Sequence, residues 1–249
     1  MVAIWFLVGG LFGLVAGSFV GAWVMRWPKG ESVLQWRSRC DHCYTTLAPL
    51  QLIPLISYLV LRGSCAACGA RISHRHVVVE IAGAAIGALA FAASPDLAGV
   101  AGAGFGWGLL GLAMLDAEHF WLPNAITIPL LLMGLAFGAL DVSPDLLDRV
   151  IGAAAGYVAF RLIGAAYRSL RGRTGLGAGD AKLIAAIGAW LGWQCLPFVI
   201  LVAAAAGLGW AVILSARGKP LRLTSRLPLG TLLACSAWTT WLVTAAAPA

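Results

Sequence analysis

Charge is what this chain has least of. Asp, Glu, Lys and Arg make up only 11% of its 249 residues, while 61% are apolar; soluble domains run nearer about 25% charged. That balance excludes a water-soluble globule. The first apolar stretch, residues 2–25, lacks both the basic start and the small-residue cleavage site of a secretory signal, so it reads as a retained membrane helix. Internal repeats and low-complexity tracts are absent as well, which excludes solenoid and linker-type architectures. Acidic residues number only ten, and few of them fall inside apolar runs, so each that does calls for an explanation.

Apolar runs are abundant. They cover residues 2–25, 77–93, 97–115, 122–140, 146–167, 181–191, 196–214 and 228–246. A bilayer core is crossed by about 20 apolar residues in a helix, so the chain reads as an all-α polytopic membrane protein with about eight transmembrane helices. The sixth run is short and flanked by glycine, which suggests a broken or re-entrant segment, tolerated at membrane depth where protein satisfies the backbone. Small residues at a spacing of four, as in Gly83 and Gly87, Gly102 and Gly106, or Gly152 and Gly156, suit close helix packing in lipid. Three regions divide the sequence: a first membrane helix (1–25), a polar loop (26–76), and a membrane bundle (77–249).

The net charge of +7 arises from 17 basic residues, and 15 of these fall in three segments, 26–76, 168–182 and 217–226. Those segments alternate with short acidic turns at Asp96 and at Asp141, Asp145 and Asp148. By the excess of Lys and Arg on cytoplasmic loops, the basic side is cytoplasmic and both termini lie outside. Topology thus accounts for the charge, the natural partner is the lipid bilayer with its anionic headgroups, and no nucleic-acid partner is expected. Most of the tryptophans, Trp5, Trp23, Trp121 and Trp193 among them, fall near run ends, where they serve as interfacial anchors. Arg161 is an isolated cation within a run and is expected to snorkel to an edge or meet a helix carbonyl.

In the polar loop, Cys40-Asp-His-Cys43 and Cys65-Ala-Ala-Cys68 are two C-x-x-C units separated by 21 residues, the spacing of a zinc ribbon. Four thiolates close the shell of one structural Zn²⁺. On the cytoplasmic side thiols stay reduced, which disfavours a disulfide relay. A loop of this size has little core of its own, and a metal supplies the missing stability. His42, His74 and His76 are then surface groups, and Cys195 and Cys235 small buried residues.

Two carboxylates stand out at the cytoplasmic ends of runs: Asp116, in Met-Leu-Asp116-Ala-Glu118-His119, and Asp180, in Gly175-Leu-Gly177-Ala-Gly179-Asp180-Ala-Lys182. Two such groups sharing a site do not both ionise readily; one keeps a proton and the other acts as base, which is the equipment for splitting a peptide bond with water. Gly177 and Gly179 are expected to allow a tight turn and close approach to a bound peptide. Lys182 either anchors the loop at the headgroups or tunes the pair. Glu80, on the same side, is either a substrate or cofactor contact or the partner of Arg71 or Arg75. A rival reading makes Asp116, Glu118 and Asp180 a proton or cation path in a transporter with a zinc-bound regulatory loop, although no acid lies deep in the later runs to continue such a path.

The chain resembles the prepilin leader peptidases, GxGD-type intramembrane aspartic proteases of type IV pilus and type II secretion systems. The resemblance lies in Gly17-Ser18-Phe19, Arg26-Trp-Pro28, both C-x-x-C pairs, Ile53-Pro54, Val79-Glu80, Leu115-Asp116, Leu122-Pro123, Gly177-Ala-Gly179-Asp180-Ala-Lys182, and Leu227-Pro-Leu-Gly230. It implies that Asp116 and Asp180 are the catalytic pair, that the substrates are prepilins or pseudopilins cut after a glycine at the cytoplasmic face of the inner membrane, and that the new N-terminus is methylated with S-adenosylmethionine. Gln51-Leu52 stands where the family often has Asp or Asn before Ile-Pro. His76-Val77 replaces its Tyr-Pro, and Asn124 replaces a frequent aspartate. The first two departures fall in the loop that the resemblance links to methylation.

Overall fold

The computed structural model of the chain describes residues 2–31, 38–40, 42–173, 175–218 and 227–246; Arg37 and most of the basic segment 217–226 lie outside the described residues. Among those described, β pairing is confined to two isolated bridges, and the eight apolar runs are all helical. The helices are α1 (Val2–Arg26), α2 (Ile56–Val60), α3 (His74–Ala93), α4 (Leu97–His119), α5 (Asn124–Ala139), α6 (Leu146–Arg171), α7 (Ala178–Leu191), α8 (Leu196–Ala216) and α9 (Leu229–Ala246). Six of them, α1, α3, α4, α6, α8 and α9, are long and apolar enough to cross a membrane. The other two apolar runs, α5 and α7, have 16 and 14 residues. At about 1.5 Å per residue α7 measures roughly 21 Å, short of a hydrocarbon core of about 30 Å. Its shortness is tolerable because protein surrounds it: every residue from Leu183 to Leu191 is buried.

The chain divides into two compact units, Met1–Gly111 and Leu112–Ala249, with α4 contributing to both. In the first, α1 and α3 pack backbone to backbone. A Cβ on Gly17 would sit 2.7 Å from the Val79 carbonyl oxygen, one on Gly83 would sit 2.6 Å from that of Gly13, and Gly9 and Gly87 abut in the same way. The spacing-four glycines of α3 therefore meet a matching stripe on α1, the small-residue packing that lets helices associate without a hydrophobic drive between them. Trp107 Nε1 donates to the Gly83 carbonyl (3.0 Å) and adds the middle of α4 to this pair. The polar loop between α1 and α3 is built from two knuckles of one design. Cys40 N–H donates to Thr45 O (3.0 Å) and Tyr44 N–H to Cys40 O (3.0 Å); likewise Cys65 N–H donates to Ala70 O (2.8 Å) and Gly69 N–H to Cys65 O (2.9 Å). The left-handed position that closes each knuckle is Gly69 (φ +71°) in one and Tyr44 (φ +58°) in the other.

In the second unit α7 is the central helix, with α5, α6, α8 and α9 packed against it. Gly152 on α6 lies so close to α7 that a Cβ there would sit 2.7 Å from the Gly188 oxygen. Trp190 Nε1 donates to Leu130 O (2.7 Å), next to the proline inside α5. The strongest tie is Arg149, only 1% exposed. Its five N–H groups all find carbonyls: Nε on Pro144 (2.7 Å), one terminal nitrogen on Gly134 (2.8 Å) and Ala189 (3.0 Å), the other on Val142 (2.9 Å) and Ser143 (3.0 Å). One guanidinium thereby joins α5, the α5–α6 turn and the end of α7, and it satisfies carbonyls that a helix end leaves open. No carboxylate takes part; the partial negative charge of these oxygens balances the cation.

Replacing Arg149 by Leu strands five carbonyls in a buried site. The expected loss is at least about 3 kcal/mol, read as a lowered unfolding midpoint of the solubilised protein, with Arg149→Lys recovering only part because an ammonium has three donors. An unchanged midpoint in Arg149→Leu would show that the cluster carries no stability.

Candidate active site

Asp116 lies within the last turn of α4 and is 5% exposed. The start of α9 is aimed at it. Thr231 N–H donates to Asp116 Oδ2 (2.8 Å), and the Thr231 hydroxyl lies 3.3 Å from the same oxygen while bonding the Ala113 carbonyl at 2.8 Å. The first N–H groups of a helix have no partner inside it and carry partial positive charge, so a carboxylate is well served there. Gly230 makes the approach feasible: a Cβ at that position would stand 2.9 Å from the Asp116 carboxyl.

Asp180 is the third residue of α7, partly buried, and its Oδ2 accepts the Gly177 N–H at 3.0 Å. Each aspartate thus takes a hydrogen bond at the N-terminal end of a helix, and the two are close enough for the charge of Asp116 to act on Asp180. Leu122 packs against a glycine next to each, Gly230 beside the Asp116 carboxyl and Gly179 just before Asp180. Its side chain would lie 3.0 Å from a Cβ on Gly179 and 3.0 Å from one on Gly230. Gly177 does not make the tight turn expected of it, since its φ of −74° and ψ of 148° are ordinary extended backbone. The room these glycines leave is for side chains: a Cβ on Gly177 would stand 3.0 Å from Asp180 Oδ2. Lys182 donates to Asn124 Oδ1 (2.7 Å), so it ties the first turn of α7 to the start of α5. Glu118 lies 3.8 Å from His119. Sequence reasoning passed over Thr231. Its signal was positional: it follows Pro228-Leu-Gly230 at the opening of an apolar run, where a helix presents free N–H groups.

In the first unit the four cysteines converge. All four sulfurs lie within 4.8 Å of one another, with Cys40 to Cys68 at 3.9 Å and Cys43 to Cys65 at 4.0 Å. A tetrahedral ion with bonds of about 2.3 Å to sulfur places its ligands about 3.8 Å apart, so the spacing fits. No histidine joins the group among the described residues; His74 Nδ1 instead meets the Tyr58 hydroxyl at 3.0 Å. The Thr45 hydroxyl and N–H hold the Cys43 thiol down to about 6, and the N–H groups of Cys68 and Ala67 hold Cys65 below the usual thiol range. Cys68 is favoured as thiolate by the Ala70 N–H, yet desolvation and the neighbouring sulfurs push it up to about 11. Four sulfurs this close ionise together only around a cation.

Next to the cysteines the first unit has an open cavity of about 600 Å³, lined by Arg26, Lys29, Arg39, Arg71, Tyr58 and Glu80 among others. Glu80 is 8% exposed, and its Oε2 accepts the Leu55 N–H at 2.8 Å. Among the described residues no salt bridge joins it to Arg71 or Arg75.

Comparison with known proteins gives a consistent outcome. Residues 11–94 match the bacterial peptidase A24 N-terminal domain, and residues 103–212 match the type IV leader peptidase family. A prepilin leader peptidase/N-methyltransferase of Dichelobacter nodosus is 34% identical over 94% of this chain and 90% of that protein. Proteins of the same name from Dickeya chrysanthemi and Aeromonas hydrophila are 36% identical over 94% of this chain and 90% of the relative, and 40% identical over 81% and 70%. No solved structure matches.

The purified chain is expected to carry about one equivalent of tightly held metal by plasma mass spectrometry, and the double variant Cys40→Ser, Cys65→Ser is expected to lose it. Full metal content in the double variant would contradict a four-sulfur site.

Proposed function

The chain belongs to the type IV leader peptidase family, and from that premise we propose that Asp116 and Asp180 are the dyad with which it cuts the leader from prepilins. The observation that carries the assignment is that two carboxylates from different helices are each held by a helix N-terminal N–H, with Leu122 reaching from Gly230, which abuts the Asp116 carboxyl, to Gly179, the residue before Asp180. Carboxylates that feel each other share one proton between them. The ionised member takes a proton from water, the protonated member hydrogen-bonds the scissile carbonyl, and the water attacks with no covalent enzyme intermediate. Thr231 N–H and Gly177 N–H stay fixed through these steps, so the charge that moves within the dyad meets dipoles already aligned.

The chain is also an N-methyltransferase by its relatives' shared name. We assign zinc to the four cysteines, where it locks the two knuckles together. S-adenosylmethionine supplies the methyl group, and the 600 Å³ cavity of the first unit suits it: the volume is that of a small-molecule pocket, and Arg26, Lys29 and Arg71 offer partners for its carboxylate. Gln51, which stands where the family often has an acid, spends its amide oxygen on the Ala48 N–H (2.9 Å) and so keeps a local structural role. The protein is a multi-pass membrane protein, and we place it in the inner membrane with the dyad on the cytoplasmic side and both termini outside. Prepilins or pseudopilins are its substrates. The transporter reading finds no support.

Asp116→Asn and Asp180→Asn keep size and one acceptor oxygen and remove the acid–base function. Each is expected to reduce cleavage of a cognate prepilin by at least about 100-fold with expression and metal content unchanged, measured by mass spectrometry of the substrate's N-terminus. Cleavage at the normal rate in either variant would end the dyad assignment.

A further inference from the structure

Glu80 is a buried carboxylate on the wall of the first unit's cavity with no cation paired to it among the described residues. Its single hydrogen bond among the described residues is the one from Leu55 N–H to Oε2. The arginines that line the same cavity do not pair with it, and one of them, Arg39, is taken by Glu31 at 3.3 Å. Burying an unpaired carboxylate is costly, so its retention beside an open cavity points to a cationic ligand.

The surroundings hold Glu80 in place and leave space before it. Leu55 sits at φ +57°, a conformation that side chains rarely adopt, and its N–H is pinned by the Glu80 carboxylate. Across from Glu80, α1 presents Gly17, where a Cβ would stand 2.9 Å from the Glu80 Cα, and then the small residues Ser18 and Ala22 on the cavity wall.

Resting on the methyl-transfer reading above, we propose that Glu80 is a catalytic residue of that reaction: it binds the α-ammonium group of the newly cut chain and takes its proton. An ammonium has no lone pair, so a proton must leave first. It passes to Glu80 and on to solvent. The free nitrogen then forms the N–CH₃ bond as the methyl–sulfur bond breaks; the electron pair stays on sulfur, which leaves as a neutral thioether, and the positive charge reappears on nitrogen. The direction of charge movement decides which cation Glu80 serves. A carboxylate beside the sulfonium would stabilise the starting state, whereas one beside the nitrogen is favoured increasingly as charge arrives there.

Glu80→Gln is the informative variant because its amide oxygen can still accept the Leu55 N–H. In the full-length, zinc-loaded protein, zinc content and cleavage of a cognate prepilin report the fold. The expected result is S-adenosylmethionine affinity by calorimetry within twofold of the wild type and methylation of the cut substrate at pH 7 down at least tenfold. The deficit should shrink above pH 8, where an α-amine, with an ordinary pKa of about 7.7 to 8.0, no longer needs a base. Unchanged methylation at pH 7, a deficit independent of pH, or a parallel loss of donor affinity would each overturn the role of Glu80. A wild-type chain that cuts prepilin and never methylates it would overturn the methyl-transfer reading beneath it.

Discussion

On the proposed assignment, the second unit has to hold two carboxylates, the buried Asp116 and the half-buried Asp180, close to one another. A charged acid in such a place is tolerated only when fixed dipoles replace its hydration. Here the dipoles are backbone N–H groups of Thr231 and Gly177 at the starts of α9 and α7. Their approach is a matter of removed atoms: a β-carbon at Gly230 would collide with the Asp116 carboxyl, and one at Gly179 would crowd Leu122. The short, protein-sheathed α7 follows from the same constraint, because the helix that delivers Asp180 must begin beside Asp116 and needs no lipid-facing surface.

Two further devices make the scaffold rigid in a medium that gives helices little hydrophobic reason to associate. Glycine stripes bring α1 onto α3, and α6 onto α7, at backbone contact. Arg149 ties α5, the α5–α6 turn and α7 through carbonyl oxygens alone. In the first unit, which has a polar loop and little core, the zinc proposed for the four sulfurs would take the part that packing plays elsewhere.

Much of this was legible in the sequence. Eight apolar runs became eight helices, because long hydrophobic segments leave no other way to satisfy the backbone. The C-x-x-C pairs announced their cluster, since a repeated short spacing has few physical uses. What stayed hidden involves partners far apart in the chain. Thr231 meets Asp116 across 115 positions, and Lys182 meets Asn124, not the aspartates. Arg149 went unremarked beside Asp145 and Asp148 at a run's edge, where it resembles a solvated charge; its burial is set by the fold of α5 and α7 around it. Gly177 and Gly179 were noticed for backbone freedom, but what matters at both is the space a missing side chain leaves.

The claim that two acids act as one unit is tested most directly by the pH dependence of kcat/KM for prepilin cleavage. A shared proton requires one member ionised and the other protonated, so the profile is predicted to be bell-shaped, with two ionisations bounding the active range. A profile with one ionisation, or none, across the range in which the protein stays folded would contradict it.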